Sequence, residues 1–128
     1  MARKAEEEGM ARKHHELLVW QDSISPVEAI YLITADFPAD ERYGLTSQLR
    51  RAAVSIPSNI AEGEARTSLR EYLHHLSIAR GSLSEVETQI VIARRLGMAH
   101  ENPVLDELVN RVFARLNALI KRLREKLT

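Results

Sequence analysis

Histidines, carboxylates and arginines are the side chains of this sequence whose types and spacing could do chemistry. The five histidines are His14, His15, His74, His75 and His100. Neighbouring residues on a helix point in directions about 100° apart, so His74 and His75 cannot grip one metal together. Glu71 lies within a turn of both, but no third ligand joins them, and ordinary polar surface is the expected role. Glu85 and Glu87 stand two apart on different helix faces, and no Glu-x-x-His falls on an apolar face, which argues against a di-iron bundle. Nothing resembles a nucleophile elbow or a phosphate loop. The chain has no Cys, so thiol nucleophiles, disulfides and zinc-thiolate sites are excluded. No catalytic residue, metal or cofactor is expected, and the chain reads as non-enzymatic.

Charge is more informative. Eighteen Lys and Arg balance eighteen Asp and Glu, which excludes a uniformly basic, histone-like binder and an acidic tail. The zero total hides an asymmetry. Residues 17–44 hold Arg42 against Asp22, Glu28, Asp36, Asp40 and Glu41, a net of −4. Residues 111–126 hold Arg111, Arg115, Lys121, Arg122, Arg124 and Lys126 against Glu125, a net of +5. Arg50-Arg51 and Arg94-Arg95 add two double arginines. These cations read in two ways: as solvated faces and helix C-terminal charges that meet the macrodipole, or as a phosphate-binding stripe. The candidate phosphate contacts are Arg50, Arg51, Arg115, Lys121, Arg122 and Arg124. Aromatic residues for base stacking are scarce beside them, so sequence-specific reading of single strands is not expected.

The elements that must position these residues are helices. Few Gly, Pro and aromatics, with much Ala, Leu, Arg and Glu, disfavour strands. A chain of 128 residues is one domain. Residues 1–16 carry four basic and four acidic side chains and almost no large apolar one; they read as a flexible arm, and Met1 to Glu8 has no apolar core of a signal peptide. Residues 17–128 hold four helical patterns. Ser25-Pro26-Val27-Glu28 has the form of a capping box with proline at the first helical position, followed by Val27, Ile30, Ile33 and Phe37 before Pro38. Trp20 to Ile24 could equally form an earlier turn of that helix, kinked at Pro26. Leu45, Leu49, Ala52, Ala53, Ile56 and Ile60 trace a second helical face, with a kink expected at Pro57 and the end near Gly63. Ser68-Leu69-Arg70-Glu71 caps a third helix that Gly97 stops. Its seam is Leu69, Tyr72, Leu76, Ala79, Leu83, Val86, Ile90 and Ala93. Asn102-Pro103 opens a fourth, with a seam of Leu105, Val109, Val112, Leu116, Leu119 and Leu123, widened by Leu108, Phe113, Ile120 and Leu127. So wide a stripe requires either the bundle interior or a second protomer to cover it. Short connections imply an all-α, up-and-down antiparallel four-helix bundle. No run of about 18 apolar residues could cross a bilayer, and the absence of Cys suits the cytoplasm.

One stretch is distinctive. Leu18-Val19-Trp20-Gln21, Ile30-Tyr31, Phe37-Pro38 and then Glu41-Arg42-Tyr43-Gly44-Leu45-Thr46-Ser47-Gln48-Leu49-Arg50-Arg51, running on through Ser55-Ile56-Pro57-Ser58-Asn59-Ile60-Ala61-Glu62-Gly63, resemble the small bacterial family of 23S rRNA intervening-sequence proteins. That family includes the accessory variability determinant of diversity-generating retroelements. Ile78-Ala79-Arg80-Gly81-Ser82-Leu83-Ser84-Glu85-Val86-Glu87 and Leu96-Gly97 extend the likeness, which covers residues 17–97. The resemblance implies a four-helix bundle assembled as a ring-like homopentamer with a central channel. In the retroelement branch it implies a role in binding nucleic acid and a reverse transcriptase. It supplies no catalytic residues. Ser23 to Pro26 departs from the family, whose first helix runs on without proline. Asn59 and Glu62, polar in an apolar run, read as hydrogen-bonding residues between helices or subunits. The expected function is therefore a homo-oligomeric scaffold that binds RNA or DNA or serves a reverse transcriptase. The alternative is a purely protein-binding scaffold with no nucleic-acid affinity.

Overall fold

The computed structural model describes residues 17–127, all in helices, turns and short connections. The expected N-terminal arm, with His14 and His15, lies outside the described residues. Four helices follow in order: α1 (Leu18–Thr34), α2 (Leu45–Glu64), α3 (Leu69–Arg95) and α4 (Pro103–Glu125), with a single 3-10 turn, Ala39–Glu41, between the first two. Cross-helix contacts fix the directions. Gln89 Nε2 donates to Gln48 Oε1 at 3.3 Å and the Ser55 and Ser82 hydroxyls meet at 2.9 Å, so α3 runs back along α2. Arg80 donates to Asn117, and Arg94 to Asp106, so α4 runs back along α3. Arg115 of α4 pairs with Asp22 of α1 and closes the ring of helices. Each helix packs on its sequence neighbours, and α1 also packs on α4. This is the expected up-and-down four-helix bundle, and no helix among the described residues is long and apolar enough to cross a membrane.

α1 takes the earlier-turn alternative. It starts at Leu18 and runs through Pro26, so the Ser25 capping box is not used. Val19, Ser23, Pro26, Ile30 and Thr34 are buried at helical spacing, one stripe that spans the proline. Burial of this continuous stripe outweighs the hydrogen bond that a proline removes. Ser23 satisfies its buried hydroxyl by donating to the Trp20 carbonyl at 2.6 Å. The helix ends at Thr34, a turn before Phe37; Phe37 nevertheless folds back into the core.

The caps of the later helices follow their sequence signals. Ser68 Oγ accepts the Glu71 amide, and Asn102 Oδ1 accepts the Leu105 amide. Gly97, at φ +77°, ends α3 in the left-handed region. The Met98 amide reaches back to the Ala93 carbonyl and the Gly97 amide to that of Arg94, a Schellman closure.

α2 and α3 form the most intimate pair, because Ala52, Ala53, Gly63 and Ala79 are small and buried there. A Cβ at Gly63 would stand 2.8 Å from the His75 Cβ, so glycine is what permits this approach. The wide stripe of α4 finds its cover within the chain. Ile120 is buried and Phe113 packs against the core, since α4 lies between α1 and α3 and is buried across a broad arc. Only Leu127 at its end and Val104 at its start stand well exposed among the large apolar residues of this segment. The stripe thus gives no separate reason for a second protomer.

Candidate nucleic-acid interface

The six cations that the sequence offers as phosphate contacts do not form one stripe. Arg50 projects from α2 onto the end of α1. Its Nε donates to Thr34 Oγ1 at 2.8 Å, a second nitrogen donates to the Tyr31 carbonyl at 3.3 Å, and its guanidinium lies 4.5 Å from the Tyr31 ring centroid. It therefore neutralises the C-terminal end of the α1 dipole and binds two of its groups. Arg115 is held by the carboxylate of Asp22. Arg51 is exposed on α2, far along the chain and bundle from the α4 terminus, with no ion pair among the described residues.

The last turns of α4 differ. Lys121, Arg122 and Arg124 are exposed and form no ion pair among the described residues. Adjacent residues diverge on a helix, and these do. Lys121 and Arg124, three apart, share one side and line a groove of about 460 Å³ between α3 and α4 with Arg80, Asn117, Ile120 and Glu125. Arg122 turns towards α1, beside Leu17, Leu18 and Arg115. It also acts on Tyr72: burial, and then Glu64, push that phenol above its ordinary value of 10.0, while Arg122 pulls it down.

Arg80 is the residue that charge counting along the sequence passes over. It is well separated along α3 from Arg70, Arg94 and Arg95, and only the antiparallel pairing with α4 brings it beside Lys121 and Arg124. Its hydrogen bond to Asn117 Oδ1 at 3.1 Å orients the guanidinium in the groove without neutralising it. Arg94 and Arg111, by contrast, are paired with Asp106 at 3.0 Å and Glu107 at 3.4 Å. The groove thus gathers three cations from two helices near the end of the bundle where α4 finishes.

The histidines form no such centre. The His74 and His75 rings are 5.9 Å apart and near-perpendicular. His75 Nδ1 faces two acceptors, Asn59 Oδ1 at 3.2 Å and Glu62 Oε2 at 3.6 Å. Asn59 spends its amide hydrogens on the Ser55 carbonyl and hydroxyl, each at 2.9 Å, so its oxygen is the group turned to His75 and Nδ1 carries the proton. Asn59 is therefore an interhelical hydrogen-bonding residue, as its place in an apolar run implies, while Glu62 faces the same ring nitrogen from 3.6 Å, beyond hydrogen-bond distance. No group of three potential metal ligands occurs among the described residues.

The model of the family described as 23S rRNA-intervening sequence protein matches residues 15–122 of the chain. The chain belongs to that family. The match reaches beyond residue 97 and takes in most of α4. Among solved structures, a protein of unknown function from the S23 ribosomal protein family of Bacteroides thetaiotaomicron is 19% identical. The alignment covers 87% of this chain and 99% of that one, with a TM-score of 0.60, a likeness of fold. No curated protein matches the chain.

Proposed function

We propose that this protein is a non-enzymatic scaffold that holds the phosphate backbone of RNA or DNA in the α3–α4 groove. The observation that carries the reading is the gathering of Arg80, Lys121 and Arg124 in one groove, with no ion pair to any of them among the described residues. Cations left open in this way gain affinity by releasing counterions from the nucleic acid, a term indifferent to sequence. The groove has no aromatic platform on which bases could stack. Three contacts on one protomer give weak binding; a cytoplasmic homo-oligomeric ring, the pentamer implied by the resemblance, would repeat the groove and multiply its field. A reverse transcriptase, the partner implied for the retroelement branch, belongs in the same tests.

The experiment is a fluorescence-anisotropy titration of a labelled mixed-sequence RNA and of a DNA duplex at low and moderate salt, beside the molar mass in solution from light scattering. Binding of both nucleic acids that weakens as salt rises, by a protein larger than one chain, supports the reading. No binding at low salt overturns it and leaves the protein-binding scaffold as the function to pursue.

A further inference from the structure

At the end of the bundle where α1 finishes and α3 turns into α4, the two connections enclose a cavity of about 560 Å³. This volume falls in the range of ordinary small-molecule sites. Its floor is apolar: Ile33, Ile90, Met98 and Leu105 line it, with Ile90 and Leu105 buried in the core. Three charged residues reach its rim: Arg94, Asp36 and Glu101. Arg94 is committed, donating to Asp106 at 3.0 Å and to the His100 carbonyl at 3.2 Å. Asp36 and Glu101 are exposed and form no ion pair among the described residues. The open charge at the mouth is thus negative, above a floor of methyl and methylene groups.

A ligand that fits both parts has an aliphatic stem and a cationic head, the combination that lets lysine lay its methylenes on apolar surface while its ammonium stays at the water. We propose that this cavity binds an aliphatic amine of the polyamine type, with its methylenes on Ile33, Met98 and Leu105 and its ammonium at Asp36 and Glu101. An anion would meet two exposed carboxylates with no ion pair among the described residues and an arginine already bonded; an uncharged apolar ligand would gain nothing from those carboxylates. The same chemistry can arrive as a free polyamine or as a lysine side chain of a protein. The proposal does not rest on the nucleic-acid reading, because the cavity and the basic groove lie at opposite ends of the bundle.

The test is a two-dimensional amide NMR titration of the full chain with 1,6-diaminohexane, 1,4-diaminobutane, spermidine, a short lysine-bearing peptide and, as a charge-matched control, magnesium chloride. The expected result is saturable shifts centred on residue 36 and residues 97–101, with the six-carbon diamine binding several-fold tighter than the four-carbon one, at up to about 0.8 kcal/mol per methylene buried. Asp36→Asn with Glu101→Gln lowers the affinity about tenfold, two exposed ion pairs at up to roughly 1 kcal/mol each, while the unliganded spectrum stays folded. Tighter binding by the amines than by the peptide assigns the ligand to free polyamines, and the reverse order to a protein lysine. Equal shifts with magnesium, no dependence on chain length, or unchanged affinity in the double variant overturns the site.

Discussion

Arg50 on α2 and Lys121 with Arg124 on α4 look alike in the sequence, as basic clusters in helical segments, yet the fold treats them in opposite ways. Arg50 is absorbed: two hydrogen bonds and a tyrosine ring hold it against the end of α1. Lys121 and Arg124 are left open, and Arg80 is brought to them across the α3–α4 seam. A count of charges along a chain measures what is available for pairing; only the packing decides what remains for a ligand. Asp22 and Arg115 make the same point within one helix, since α4 surrenders Arg115 to α1 while Lys121, Arg122 and Arg124 form no ion pair among the described residues.

The contrast can be broken or sharpened by substitution. The largest expected effect is on binding. Arg80→Glu with Lys121→Glu and Arg124→Glu lowers affinity for mixed-sequence RNA about a hundredfold or more at low salt, through loss of three counterion-releasing contacts. Its melting temperature stays near that of the parent, because none of the three is buried; both are read by anisotropy and by circular dichroism. Arg50→Ala should do the reverse. It destabilises the bundle by about 1.5–3 kcal/mol, as expected for hydrogen bonds from a charged donor, and leaves RNA affinity unchanged, which denaturant unfolding beside the same titration checks.

Asp22→Asn is the sharper probe, since it converts an absorbed arginine into an open one. Stability falls by up to about 1 kcal/mol, the ordinary worth of a partly exposed ion pair. RNA affinity should stay within about twofold of the parent's, because the freed Arg115 lies beside Arg122 on the α1 side of α4, away from the α3–α4 groove. The smallest effect concerns pH. The Tyr72 phenol titrates above 10.0 in the folded chain, chiefly through burial, so its contribution to stability is intact below pH 10 and is lost as pH rises through the folded value. Tyr72→Phe flattens that alkaline limb, and unfolding curves recorded on both sides of pH 10 show it.

Much of the fold was legible because the signals are local. The seams of α3 and α4, the Ser68 and Asn102 caps and the Gly97 stop all depend on residues within a few positions of one another, and all occur. The start of α1 did not follow its local signal, because Ser25-Pro26-Val27-Glu28 satisfies the rules of a helix beginning while the buried stripe from Val19 to Thr34 makes the longer helix worth more. The breadth of the α4 stripe admitted two explanations, and the choice between them depended on how many neighbours α4 has. The groove was half legible. Lys121 and Arg124 are close in sequence, but Arg122 between them turns towards α1, and Arg80 is 41 residues from Lys121 and joins the groove only through helix pairing. The capture of Arg50 by Tyr31 and Thr34, 16 to 19 residues away, was hidden for the same reason.

The most direct measurement of the central claim is the salt dependence of RNA affinity for the parent and for the Arg80, Lys121 and Arg124 triple variant, taken side by side. Three phosphate contacts per protomer give a log–log slope near −2 for single strands, at about −0.7 per phosphate, and a steeper one where several protomers engage one strand. The account predicts that slope for the parent and its near-disappearance in the triple variant, with the Arg50→Ala slope equal to the parent's. A parent slope near zero, or an undiminished slope in the triple variant, would contradict the account and return the groove to ordinary solvated surface.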